Sequence, residues 1–499
     1  MRFQRRATGV DVRERVIIVG GGVGGLTAAL GYARAGHQVD VLERDPLPDV
    51  TDAEAAFDAE RRGAPQVHQT HGFLARLVVE LRERFPDVLE QLLAAGCVTM
   101  PTTAQLGEPR PGDEDLRVLV VRRTTLEWVL RRAVTDQPGV TLHTGAAVQR
   151  LLGEPAADGV PARVTGVVTE DGRDWEADIV VAATGRRGPV ARWLEELGAD
   201  VPETIHESGL MYLSRWYRFA EGVEVELDPK LGGDLGFVKY LAVPGDGGTL
   251  SITLAVRTDD AELRAALSDP EAFEHACRIL PGPDRFVGRY DLTPLGGVRP
   301  MTGLLNRIRR FVDADGGPTV LGFHAIGDSH TCTNPLYGRG CSLAAVQAIL
   351  LVDATAAHPD DAVGRATAYE QATACEVEPW FEISVQMDRM GADPAGLAIG
   401  GDDGGGKAMA ALFAAAATDP IIGRGMSRFW NLLALPGDLM GDPELMARMA
   451  EVMADPDAWP TPPAEGPTRT ELLDALAALP TTAPTEEHTV PGTPDRAAS

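Results

Sequence analysis

Lysine is almost missing from this 499-residue chain. It occurs at Lys230, Lys239 and Lys407 only, so nearly all of the 46 basic residues are arginine. Against them stand 73 acidic residues, for a formal net charge of −27. A surface of that sign repels nucleic-acid phosphates and anionic lipid headgroups, so neither is an expected partner. Cysteine is scarce. Cys97, Cys277, Cys332, Cys341 and Cys375 are odd in number and never spaced C-x-x-C, which points to reduced thiols and a cytoplasmic setting. No run of about 18 apolar residues is read in the chain, so no integral membrane segment is expected. Residues 1–13 hold several arginines with no apolar segment of signal type behind them and read as a flexible arm. No metal cluster and no Ser-His-Asp set stands out, so no metal site is expected and no acid or base declares itself.

What is there is ordinary globular material, 44% hydrophobic and 24% charged, enough to bury a large core without staples. At roughly 150 residues per domain the length allows two to four domains. Residues 16–19 are apolar and β-branched, as in a buried parallel strand. A glycine loop, a helix over 26–35 and a strand over 38–42 complete a β-α-β unit. Helical spacing recurs over 73–85, 87–95 and 125–134. Strand character recurs over 116–121, 140–144, 164–169 and 178–183. Alternation over 208–220 and 236–257 predicts an antiparallel sheet. A strand over 319–325 leads into a second glycine-bearing loop and a helix over 342–356. Residues 363–458 read as helical, broken at 400–406, and 468–479 as a short helix in a Pro- and Thr-rich tail.

The first glycine loop spells Gly20-Gly-Gly22-Val-Gly-Gly25, a G-x-G-x-x-G fingerprint. Gly20 permits the tight turn, Gly22 lets backbone approach a pyrophosphate, and Gly25 lets helix and strand pack closely. The helix N-terminus offers free N–H groups and a positive dipole end. Glu43, closing the second strand, stands where an acid accepts hydrogen bonds from a ribose.

Further segments follow in order: Glu43-Arg44; Arg61-Arg-Gly-Ala-Pro-Gln66 with His71; Arg123-Thr-Thr-Leu-Glu-Trp128; Asp178 to Arg186; and Gly327-Asp328-Ser-His-Thr-Cys-Thr-Asn334-Pro335-Leu-Tyr-Gly338-Arg-Gly340. Together they resemble the flavin monooxygenases of the p-hydroxybenzoate hydroxylase superfamily, most closely bacterial polyether and squalene-type epoxidases, over about residues 15–375. The resemblance implies an α/β fold: a Rossmann-like FAD-binding domain of glutathione-reductase type, interleaved with an antiparallel-sheet substrate domain, plus a helical C-terminal region. The expected division gives 14–84, 118–200 and 285–362 to the FAD domain, and 85–117 and 201–284 to the substrate domain. Residues 363–459 form the helical region, and 460–499 a mostly disordered tail.

The resemblance also implies that Arg44, Gln66, Arg123, Val148, Asp328, Pro335, Gly338, Gly340 and Cys341 join Gly20, Gly22, Gly25 and Glu43 around FAD. Asp328 would meet the ribityl chain, and Pro335 would shape the loop over the isoalloxazine. Gly338 and Gly340 would offer N–H groups to the pyrimidine edge. Cys332 and Cys341 are either redox or flavin-linking thiols or simply small buried residues. The implied reaction is epoxidation or hydroxylation of a hydrophobic polyketide or terpenoid through a flavin C4a-hydroperoxide. Its electrons come from NAD(P)H, directly or through a flavin reductase, and its oxygen from O2. His71, His324 and His330 are candidates by location for a proton-handling role, each with a structural role as the alternative, and Tyr337 in the flavin loop is a catalytic candidate facing the substrate, with packing as its alternative. Met211, Leu213, Phe237, Tyr240 and Trp380, with Phe381 and Met387, are expected to line a substrate pocket.

Other readings stay open. A flavin-dependent reductase of prenyl double bonds shares the FAD architecture, and a flavin-binding protein without catalysis is the other class. Residues 401–408, Gly-Asp-Asp-Gly-Gly-Gly-Lys-Ala, miss the P-loop pattern at the residue after Lys407 and read as a mobile loop. No second G-x-G-x-x-G unit argues for a separate nicotinamide domain, Thr184-Gly185 replaces the family's D-G, and W-x-W-x-I-P is missing, against a halogenase.

Overall fold

The computed structural model describes residues 14–225, 231–392, 404–460 and 465–479. The arm, residues 400–403 of the glycine loop and residues 480–499 lie outside them. Val16, Ile17, Ile18 and Val19 are buried, as a strand covered on both faces requires. This strand, Arg15–Val19, is the middle of a five-stranded parallel sheet. Gln38–Glu43 and then Val140–Thr144 lie on one side, Ile179–Ala182 and then Phe323–Ala325 on the other. The first helix is Val23–Arg34, one turn earlier than expected, because it begins inside the glycine motif. It packs against Gly340–Ala357 in a single apolar cluster. That second helix has 18 residues and mean hydropathy 1.6, enough by length and composition to cross a membrane. It is the helix expected over 342–356, and it is largely buried, as a core helix is.

A six-stranded antiparallel sheet forms the second layer. Its order is Gly232–Asp234, Val238–Gly245, Thr249–Arg257, Leu210–Phe219 and Leu292–Pro294, with Arg299–Met301 also paired to Leu210–Phe219. The antiparallel sheet therefore reaches Met301, past the limit at 284 expected for the substrate domain. Residues 85–117 divide differently too. Helix Pro86–Ala94 buries Val88 and Leu92 in the core of the parallel sheet's helices, because its apolar face meets that layer.

One face of the antiparallel sheet is closed by Ala261–Ser268, Pro270–Ile279 and Arg469–Ala477. The last of these is the expected short helix, started by a Thr468–Glu471 capping box and tied down by Arg469 to Asp260 at 2.8 Å. That part of the tail is ordered because Leu472 and Leu476 complete the apolar layer. The C-terminal region is helical, with Ala362–Glu376, Glu378–Ala392, Gly404–Ala416, Pro420–Trp430 and Pro443–Ala454.

Candidate functional site

In an open parallel sheet, ligands bind beyond the carboxyl ends of the strands where connections diverge. Three such ends converge here. The loops after Val19, Ala182 and Ala325 contribute Gly22 to Gly24, Ala183 to Arg187, and Ile326 to Asp328 to one cavity of about 310 Å³. The helix starts at Val23 and Gly340 both reach it, and neither has a side-chain cap. Their N–H groups and dipole ends thus point positive charge at the cavity. Arg44, Arg62, Arg123, Arg186 and Arg187 line it as well, against one acid, Asp328. In a chain of net charge −27, this is a cradle for an anion.

Of the thirteen residues expected around FAD, nine line this cavity: Gly22, Arg44, Gln66, Arg123, Asp328, Pro335, Gly338, Gly340 and Cys341. Gly20 and Gly25 do not; they are the joint beneath it. A Cβ on Gly25 would lie 2.0 Å from the Gly20 carbonyl oxygen, so only glycine lets the helix cross the strand there. Val148 begins the edge strand Val148–Glu154 of a separate four-stranded sheet and stands apart from the cavity. Its alternating segment pairs with Ala162–Thr169 instead of facing the loops. Glu43 is buried behind the cavity, accepting from Gly21 N at 2.8 Å and Asp45 N at 2.8 Å.

Glu43 belongs to a buried ionic network that sequence reading missed. Arg61 reaches Glu127 at 2.6 Å, Asp45 at 3.1 Å and Glu43 at 3.4 Å. Arg123 donates to Glu127 at 2.9 Å and to His71 Nε2 at 3.1 Å. The signal for Glu127 was available: it stands four residues after Arg123 on one helix, the spacing at which opposite charges meet. Burial works against the Glu127 charge, yet Arg61 and Arg123 hold its carboxyl down at about 2. His71 is pushed down to about 3, first by burial and then by Arg123. Guanidinium has no acceptor, so His71 Nε2 accepts and Nδ1 donates to the Gln69 carbonyl at 2.9 Å. His71 lines the cavity as a neutral ring with both nitrogens engaged.

Burial raises the Asp328 carboxyl and pushes the Cys341 thiol up to about 11; Cys332 goes well above its ordinary value for the same reason. Neither cavity thiol is a ready thiolate, so these are small buried side chains. His324 and His330 are buried outside the cavity. The loop Asn334–Gly340 meets the segment before Phe73 at two glycines. Gly338, at φ +66°, carries a Cβ position only 3.2 Å from Gly72 Cα.

The substrate-side expectations change most. Met211, Leu213 and Tyr240 lie on the far face of the antiparallel sheet, packed on the helices behind it. The residues between them turn forward. Tyr212 lines the cavity and donates its hydroxyl to Asn334 Oδ1 at 2.9 Å. Ser214 donates to Gln69 Oε1 at 2.6 Å, and Trp216 Nε1 donates to the His68 carbonyl at 2.7 Å. Thr70 bridges Ser251 and Thr253 on the neighbouring strand. The period of two was legible, but the apolar half packs on helices while the hydroxyl half faces the cavity loops. Trp380 is buried beside Val377 and Leu432, and Phe381 beside Ile308 and Val385. Phe237, Tyr337 and Met387 line a second cavity of about 160 Å³. Among the described residues no group of three or more His, Cys, Asp or Glu side chains could hold a metal ion.

The geometry fits an extended dianionic dinucleotide, and comparisons with known proteins point the same way. Residues 15–120 match the family described as FAD dependent oxidoreductase. The chain is 28% identical over 365 residues to Protein Rv3254 of Mycobacterium tuberculosis, covering 67% of this chain and 72% of the relative. It is 28% identical over 378 residues to kynurenine 3-monooxygenase of Salinispora arenicola, covering 72% and 76%. Among solved structures, flavin-dependent brominase Bmp2 superposes at TM-score 0.59 and 16% identity, covering 90% of this chain and all of the brominase. OxyS anhydrotetracycline hydroxylase of Streptomyces rimosus superposes at 0.54 and 21%, covering 85% and 77%. Residues 15–120 thus resemble the FAD dependent oxidoreductases, and the chain shares the fold of the solved flavoproteins it superposes on.

Proposed function

We propose that this enzyme transfers one oxygen atom from O2 to a hydrophobic small molecule, by epoxidation or hydroxylation. The observation that carries the reading is the single cavity in which two uncapped helix starts and Arg123 meet the Tyr212 and Pro335 wall. Bound FAD supplies the redox chemistry, passing electrons from a nicotinamide donor to O2. The chain's own residues bind and orient. Gly22 to Gly24, Arg44 and Arg123 hold the anionic end. Asp328, Gly338 and Gly340 hold the other, beside a positive helix start that favours negative charge on a reduced ring. Gln69, Thr70 and Tyr212 form the facing wall.

His71 is not the base in this reading, because its acceptor nitrogen is occupied by Arg123. Its part is to hold the guanidinium in place. The test is reduction of the FAD-loaded protein without air, followed by 18O-labelled oxygen and a panel of polyenes and polycyclic phenols. One labelled oxygen per product molecule is the expected result. Saturation of a prenyl double bond without oxygen would replace this reading with the reductase. Flavin reoxidation with no oxygenated product from any panel member would favour a non-catalytic flavoprotein.

A further inference from the structure

The second cavity lies across the Asn334–Gly340 loop from the first. Its walls come from the 236–239 hairpin, the end of strand Thr249–Arg257, Leu210, Leu336 and helix Glu378–Ala392. Most of the polar groups in it are already satisfied. Lys239 pairs with Asp234, and Arg257 pairs with Asp259 at 2.7 Å. Ser208 Oγ donates to the Leu304 carbonyl at 3.0 Å. Asp388 accepts from Asn306 at 2.7 Å, and from Asn334 and the Tyr337 hydroxyl at 2.8 Å each. Three donors converge on that carboxyl, so this geometry holds the carboxylate.

What remains follows from counting. A phenol has one proton and two lone pairs. Tyr337 gives its proton to Asp388, so its oxygen is left as an acceptor. The cavity thus offers apolar contacts from Leu210, Phe237, Val238, Leu336 and Met387, compensated charges and an acceptor at Tyr337 Oη. We propose that it binds a neutral, largely apolar molecule through a hydroxyl or N–H that donates to Tyr337 Oη. An anion is disfavoured because both cations are paired, and a molecule without a donor leaves the acceptor unmet. The same hydrogen-bond chain runs back to the first cavity. Asn334 accepts from Tyr212 through its oxygen and donates to Asp388 through its nitrogen, so an occupant here touches a chain that ends beside the flavin site.

The test needs no turnover, so its failure is distinct from failure of the oxygen-transfer reading. Calorimetric titration of the FAD-loaded protein uses 2-naphthol, 2-methoxynaphthalene and 2-naphthoate. The expected order puts 2-naphthol about tenfold tighter than its methyl ether, with 2-naphthoate weakest. Tyr337→Phe erases the tenfold preference and leaves the ether unchanged. Leu210→Trp fills the space and abolishes binding of both neutral probes. FAD content and melting temperature show that each variant is folded. A preference that survives Tyr337→Phe, neutral probes that bind Leu210→Trp as before, or 2-naphthoate binding tightest would each overturn the proposal. Should Tyr337→Phe not fold, the three-probe order and Leu210→Trp still decide.

Discussion

The two faces of strand Leu210–Phe219 are made from the same ten residues and do opposite work. Met211, Leu213, Tyr217 and Phe219 pack on helices in a continuous apolar layer with Leu250, Ile252, Leu254 and Val256 of the next strand. Tyr212, Ser214 and Trp216 face the cavity side, with hydrogen bonds to Asn334, Gln69 and His68. The back face stabilises by burial and tolerates no gap. The front face contributes few kilocalories but fixes where the loops over the cavity sit. The face that this strand turns to the cavity loops is therefore hydrogen-bonded along its length.

Substitutions on neighbouring residues test that division. Leu213 is fully buried, so Leu213→Ala is expected to cost about 2–5 kcal/mol by transfer and cavity terms. Denaturant unfolding of the FAD-loaded protein reads it. Ser214→Ala removes the partner of Gln69 Oε1 and a hydrogen bond to Thr253 at 2.6 Å. It is expected to cost about 1–3 kcal/mol and to raise the FAD dissociation constant more than Leu213→Ala does. The reverse order in either measurement would mean that the strand's faces are assigned backwards.

The cofactor side was far more legible than this sheet. Gly20 and Gly25 must be glycine because backbone passes within contact of backbone, and such constraints leave fixed spacing in the chain. In the second motif the same holds at Gly338, whose Cβ position meets Gly72 backbone, and Gly327 takes a left-handed φ of +57°. The sheet leaves only alternation, and alternation does not say which half faces the ligand. Tyr, Trp and Ser at 212, 216 and 214 serve a core edge or a cavity wall equally well. Met211 and Leu213 were chosen for being apolar, the property that sends a residue to the helical side. The pairings of Asp388 and Arg61 could not be read for another reason: their partners lie 51 to 82 and 16 to 66 residues away in sequence. Only the fold brings those charges together.

The loop that the front face holds leads into His71, whose effect is read as a slope against pH, not as a stability at one pH. Its folded value of about 3 lies below the ordinary histidine value. The folded protein refuses a proton that the unfolded chain takes up below about pH 6.5, so stability falls as pH drops through that range. One such group contributes a slope of about 1.4 kcal/mol per pH unit. His68, held at about 4, and His324, at about 3, act in the same direction, both chiefly through burial. Glu127, held at about 2, begins to add its own loss only below about 4.5. In the window from about pH 6 to 4.5 the histidines lose stability as pH falls, while the raised Asp328 and Asp388 carboxyls act in the opposite sense, so the comparison is parent against variant. Denaturant unfolding at steps across this window is expected to show His71→Asn with a slope shallower by about one proton than the parent. An unchanged slope would mean that His71 is free to take a proton in the folded protein, and that its contact with Arg123 does not hold the front loop.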